Sequence, residues 1–209
     1  MRGGLTVKQH LIPVVLVLAA TMSVCGCAGR VKYPSYYTLN LPPAPDPPAQ
    51  EGVRFSIAVR DFRAPGYLRQ GAIVYRTSPE QIGFYNYQRW ASDPCKVVTE
   101  SVTDHLRASG RYALVKPYDG HADADYVLSG RVEQLEEVDY EGGVQVDVAL
   151  SAQLVNLKTG ETVWTNEVRE VGKVERRDVP SVVSEMSRTM DGAIEKLLLQ
   201  MAAAPSKTN

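Results

Sequence analysis

The stretch that decides the fold is "ADYVLSGRVEQLEEVDYEGGVQVDVALSAQLVNLKTGETVWTNEVREVG", residues 124–172. It reads as three long strands joined by two tight turns, the first at Glu141-Gly142-Gly143 and the second at Lys158-Thr159-Gly160-Glu161. Val144, Val146, Val148, Leu150, Ala152 and Leu154 recur at every second position. That period puts all six on one face of a strand. An antiparallel meander with one apolar face must be covered by something else.

The cover is legible on either side. Downstream, a helix beginning near Pro180 carries Val183, Met186, Met190, Ile194, Leu197 and Met201 on one side. Upstream, Asp93-Pro94 is a helix start, with Ser92 or Asp93 as cap, and the helix runs to Ser109 and stops at Gly110. Its inward stripe is Cys95, Val98, Val102 and Leu106. Before it come the strand patterns "YYTLNL" (36–41), "VRFSIAVRDF" (53–62), "GAIVYRT" (71–77) and "QIGFYNYQRW" (81–90), and after it the short "RYALV" (111–115). The proline-rich "PPAPDPPAQEG" (42–52) reads as an extended connector. The expected fold class is α+β: a mostly antiparallel sheet with long hairpins and two amphipathic helices on one face.

The N-terminus has another purpose. Arg2 and Lys8 precede the apolar run "LIPVVLVLAATMSV" (11–24), which is too short for a membrane span and carries Pro13. The run ends in "VCGC" (24–27), with Val24 at −3, Gly26 at −1 and Cys27 at +1. This resembles the processing site of a bacterial lipoprotein. Residues 1–26 are then a signal peptide, and Cys25 leaves with it. Cys27 takes the lipid (a diacylglyceryl group on sulfur and an acyl chain such as palmitate on the amine) and 27–35 form an anchor and short linker. The alternative is an ordinary secretory peptide with incidental cysteines. Ala28 stands where enterobacterial lipoproteins retained in the inner membrane carry aspartate. The analogy favours the periplasmic face of the outer membrane over the inner membrane. A single α+β domain spans 36–203, and 204–209 is a free tail.

Composition narrows the function. The chain has 209 residues, 44% apolar and 22% charged, with formal charge −1. Such a balance disfavours nucleic acid, whose binding needs a basic excess. Losing Arg2 and Lys8 takes the charge from −1 to about −3. Three cysteines make no disulfide framework. Cys95 opens a helix, where the dipole can lower a thiol pKa, yet it lies on the apolar stripe and reads as core. His105 has no ligand-spaced companion, and His121 with Asp123 and Asp125 reads as a solvated turn, so no metal or cofactor is expected beyond the lipid on Cys27. Glu136, Glu137, Asp139 and Glu141 read as a solvated hairpin tip. No Gly-x-Ser-x-Gly elbow or phosphate loop is present, so the chain is not expected to be an enzyme. Tyr33, Tyr36, Tyr37, Tyr67, Tyr75, Tyr85 and Tyr87, with Trp90, all precede the first helix. They serve either as contact residues or as core.

The stretches "YYTLNLP" (36–42), "AVRDFRAPGYLRQGAIVYR" (58–76) and "YNYQRWASDP" (85–94), in this order after the lipid cysteine, resemble the ABC-type transport auxiliary lipoproteins, the PqiC-like group. One departure is Arg69, where the family often has an acidic residue after the Tyr-Leu pair. The resemblance implies a fold similar to the N-terminal domain of TolB and a non-enzymatic subunit of an MCE-type ABC transport system. Such a subunit docks the periplasmic MCE-domain assembly at the outer membrane, with a homo-oligomeric ring as a further expectation. Such systems move lipid or other hydrophobic molecules between membranes. Tyr36, Tyr37, Tyr67, Leu68, Arg89 and Trp90 are the candidate partner-contact residues. Two other readings share the anchor: a structural lipoprotein of an efflux or secretion apparatus, and a lipid-anchored envelope hydrolase.

Overall fold

A computed structural model of the protein describes residues 31–44, 53–121, 123–140 and 142–203. The expected signal peptide, Cys27, most of the proline-rich connector, Ala122, Glu141 and the tail lie outside the described residues. Contacts divide the chain into two units, Met1–Tyr33 and Pro34–Asn209, and the elements below belong to the second.

Eight strands form one sheet: β1 (Ser35–Tyr37), β2 (Val53–Val59), β3 (Ala72–Ser78), β4 (Gln81–Trp90), β5 (Tyr112–Pro117), β6 (Tyr126–Val138), β7 (Gln145–Asn156) and β8 (Thr162–Lys173). Two helices, α1 (Pro94–Ala108) and α2 (Val179–Ala203), complete it, with a short 3-10 helix at Gly66–Gln70. The α+β layer and both helices agree with the expectation. The sheet is mixed, however, rather than purely antiparallel. The hairpins β3–β4, β6–β7 and β7–β8 are antiparallel, while β1–β4, β2–β5, β2–β6 and β3–β6 are parallel. Parallel neighbours need a crossover connection, and α1, between β4 and β5, helps to supply one.

Strand β6 organises the sheet. One edge pairs with β7 along its whole length. The other is shared: Tyr126–Leu128 pairs with β2, and Glu137–Val138 with β3. Between them the chain after β2 runs alongside, with Arg60 N–H donating to Leu128 O (2.9 Å) and Arg63 N–H to Gly130 O (3.0 Å). Gly130 makes this approach possible, because a Cβ there would overlap the Phe62 ring.

Local signals set the helices. The Asp93 carboxylate accepts the N–H of Cys95 (2.9 Å) at the start of α1, and Gly110 (φ 62°) lies just past its end. Asp178 accepts the N–H of Ser181 (2.8 Å) at the start of α2. The apolar stripes of both helices join Val144, Val146, Val148, Leu150, Ala152 and Leu154 in one core. Each fully buried aliphatic side chain there contributes about 1.5–3 kcal/mol.

Strand β1 is shorter than "YYTLNL" predicts. After Tyr37 the chain leaves the sheet, Leu39 enters the core, and Asn40 N–H donates to Ser187 Oγ on α2 (3.0 Å).

Candidate contact surface and buried carboxylates

The pairing of β1 with the end of β4 sets Tyr36 beside Arg89 and Tyr37 beside Trp90. Trp90 is core, 8% exposed, with its backbone N–H donating to Gly71 O (2.9 Å). Tyr37 is half-buried, and its carbonyl accepts the N–H of Ala91 (2.8 Å). Arg89 donates from Nη2 to Gln70 O (2.8 Å), closing the 3-10 helix where Gly71 turns at φ 74°. Tyr36, by contrast, is 63% exposed. Tyr87, two positions before Arg89 and therefore on the same face, is exposed as well. The corner thus offers a surface of two tyrosines around one arginine, a composition suited to a protein contact.

The other two expected contact residues point elsewhere. Leu68 is buried in the core. Tyr67 turns inward and donates to Glu136 Oε1 (2.6 Å) and, more weakly, to the Glu133 carbonyl (3.3 Å). Burial, then the hydrogen bond to Glu136, pushes the phenol far above its ordinary pKa.

Glu136 and Glu137 are not a solvated hairpin tip. They are 1% and 7% exposed, on opposite faces of β6. Arg76 of β3 grips Glu136 through Nε and also through Nη2 (3.3 Å), while its Nη1 holds the Pro79 carbonyl (2.7 Å). The hydrogen bond to Glu136 raises the pKa of the guanidinium. Glu137 accepts from Tyr85 Oη (2.8 Å), whose ring tilts against Tyr75 at 5.1 Å. Burial raises the pKa of Glu137 despite that bond. Asp147, opposite Glu136, is clamped by Arg169 Nε (2.8 Å) and Nη2 (2.5 Å). Asp139, beyond the strand, pairs with Arg177 (2.5 Å). Arg76 and Tyr67 hold Glu136, Arg169 holds Asp147 and Tyr85 holds Glu137, so the arrangement serves as a clamp between strands.

The strand pattern of β6 carries one irregularity that sets these faces. In β6 the inward residues Leu128, Gly130 and Val132 are spaced by two, but the next, Leu135, comes three later. The register shifts there: Val132 pairs with Leu150 and Gln134 with Ala149. Glu133 is the extra residue of a bulge, which swaps the faces and sends Glu136 outward and Leu135 in.

Cys95 is free and buried. Burial, reinforced by Asp93, pushes its thiol up to about 12, opposite to the helix-dipole effect. His105 Nδ1 lies 2.9 Å from the Ser101 carbonyl on its own helix. His121 and Asp119 form an exposed turn, Asp123 pairs with Lys116, and Asp125 accepts the N–H (2.8 Å) and hydroxyl (2.9 Å) of Ser56. Among the described residues no three His, Cys, Asp or Glu side chains are grouped to hold a metal, and no helix is long and apolar enough to cross a membrane.

Comparison with solved structures places the fold. Protein XCC0632 from Xanthomonas campestris superposes with a TM-score of 0.69 at 19% identity, over 78% of this chain and 92% of that one. The protein CT253 from Chlamydia trachomatis gives 0.51 at 7% identity, over 73% and 98%. The PelC dodecamer from Paraburkholderia phytofirmans gives 0.44 at 21% identity, over 74% and 91%. A comparison with curated proteins returns no match. The model of the family described as "ABC-type transport auxiliary lipoprotein component" matches residues 37–197, from β1 to the last turns of α2, and the chain belongs to that family.

Proposed function

We propose that this protein is a non-enzymatic lipoprotein subunit of an MCE-type ABC transport system. Anchored through Cys27 in the periplasmic face of the outer membrane, it docks the periplasmic assembly that carries lipid or other hydrophobic molecules. The observation that carries this reading is the family match across the whole folded unit. The position of the anchor supports it. Eight residues separate Cys27 from Tyr36, a reach of under about 30 Å even fully extended. The Tyr36–Arg89–Tyr87 corner is the surface we assign to the partner. The buried carboxylates Glu136, Glu137 and Asp147 hold strands together through arginines and phenols, in keeping with this non-enzymatic reading.

The test is to isolate the full-length lipoprotein from gently solubilised membranes and identify co-purifying proteins by mass spectrometry. An MCE-domain protein with its ABC subunits supports the reading. Efflux or secretion components instead would overturn the transport assignment, while retention of the protein in the inner-membrane fraction would overturn the address.

A further inference from the structure

The sheet face turned away from α1 and α2 carries a cleft of about 300 Å³, lined among others by Arg60, Arg63, Arg131, Ser129, Ser151 and Thr165. Its construction concentrates positive charge. Arg63 and Arg131 are partners in a parallel bridge, fixed by Arg63 N–H to Gly130 O (3.0 Å) and Val132 N–H to Arg63 O (2.8 Å). Residues paired in this way project to the same face, so two guanidinium-bearing chains leave adjacent backbones on one side. Arg60 arrives from the end of β2, its guanidinium 4.5 Å over the Tyr118 ring. Its Nε is shielded from solvent and meets no acceptor.

Compensation within the chain is partial. Glu133 takes Arg131 Nε (3.0 Å) and Ser151 Oγ (2.7 Å). Asp61 also lines the cleft, but among the described residues neither Arg60 nor Arg63 has an ion pair. In a chain of formal charge −1 this local excess of cation is not a by-product of general basicity. Guanidinium forks fit tetrahedral oxyanions bidentately, and hydroxyl groups on neighbouring strands can serve the remaining oxygens.

We propose that this cleft is a binding site for a phosphate group, presented by a phospholipid headgroup or as free phosphate. Arg63 and Arg131 grip the anion, Arg60 supplies the inner wall, and Ser129 and Thr165 serve its outer oxygens. The site is separate from the Tyr36–Arg89 corner and does not rest on the identity of the transport partner.

The experiment is calorimetric titration of the full-length lipoprotein in dodecyl maltoside with two probes, inorganic phosphate and water-soluble dihexanoyl phosphatidylglycerol. Saturable binding that weakens with salt and falls at least tenfold in Arg63→Gln is the expected result. Arg63 is exposed and its side chain has no ion pair to lose, so that variant keeps the fold, which its melting temperature verifies. Arg188→Gln, on α2, should bind as the native protein does. Tighter binding of the lipid assigns a headgroup site, and equal or tighter binding of inorganic phosphate assigns a free-phosphate site. Absence of saturable binding to both probes overturns the proposal, as does binding that Arg63→Gln leaves intact. Binding of neither probe together with binding of an acidic peptide that Arg63→Gln abolishes would overturn it in favour of a protein contact.

Discussion

Glu136 on β6 and Asp147 on β7 stand directly opposite one another on the outer face of the sheet, each held by an arginine from a different flanking strand. Paired cross-strand side chains have Cβ atoms about 4.5–5.5 Å apart, and like charges there repel. Arg76 from β3 and Arg169 from β8 turn that repulsion into a four-strand clasp.

Removing Arg76 should therefore be expensive. Arg76→Ala leaves Glu136 buried with only Tyr67 as partner, and the expected loss is about 3–5 kcal/mol in urea unfolding. The double variant Arg76→Met with Glu136→Met should lose markedly less, because no charge is then stranded. Equal losses in the two variants would show that the clasp is not electrostatic.

Glu137 gives a pH signature of opposite sign to most carboxylates. Its folded pKa is raised, chiefly by burial, so the folded state binds the proton more tightly than the unfolded chain. Its contribution to stability is complete below the ordinary glutamate range and is lost as pH rises through the elevated folded value. Glu137→Gln keeps an acceptor for Tyr85 and should remove this decline. Melting temperatures of both proteins, followed upward in pH from the ordinary glutamate range, should converge at the acid end and separate above it, the variant being the more stable.

Gly130 is a packing requirement. Gly130→Val puts side-chain atoms into the Phe62 ring between β2 and β6, with an expected cost of about 1–3 kcal/mol or more. Phe62→Ala in the same chain should recover part of it, measured as a coupling in a double-mutant cycle.

Cys95 should be silent in the native protein. With its thiol pushed up to about 12 and its side chain buried, peptide-level mass spectrometry after iodoacetamide at pH 8 should find it unmodified. Modification should become complete in denaturant. Native-state labelling would show that the N-terminal turn of α1 opens.

The exposed corner predicts a variant without a stability cost. Tyr36→Ser should shift stability by no more than about 0.5 kcal/mol, since its side chain faces outward. Co-purification of the partner should fall. Retention of the partner at native levels would remove the corner from consideration.

The elements legible in the sequence were those whose signal is local. The stripe of α1 from Cys95 to Leu106, that of α2 from Val183 to Met201, and the alternation of β7 each declare a buried face within one segment. The Glu136–Glu137 pair could not be read that way. Its burial depends on Tyr67, Arg76 and Tyr85, which lie 50 to 70 positions away. The same holds for the parallel pairings: nothing in "VRFSIAVRDF" says that β2 will sit between β5 and β6. Of the six contact candidates named from sequence, the structure brings Tyr36, Tyr37, Arg89 and Trp90 together; sequence alone did not show that grouping. It did not separate exposed Tyr36 from buried Trp90 or foresee that Leu68 enters the core, because adjacent positions on a strand look the same until a face is assigned.

The shared edge of β6 has a consequence for the order in which the chain is made. Strands β2 and β3 each pair with β6 and not with each other, so the strands before residue 126 form two separate ribbons, β1–β4–β3 and β2–β5. As the chain emerges N-terminus first, these ribbons have no template until β6 appears. Their apolar faces must then be kept from premature pairing for well over half the length of the protein, and a single late segment converts them to a sheet at one stroke.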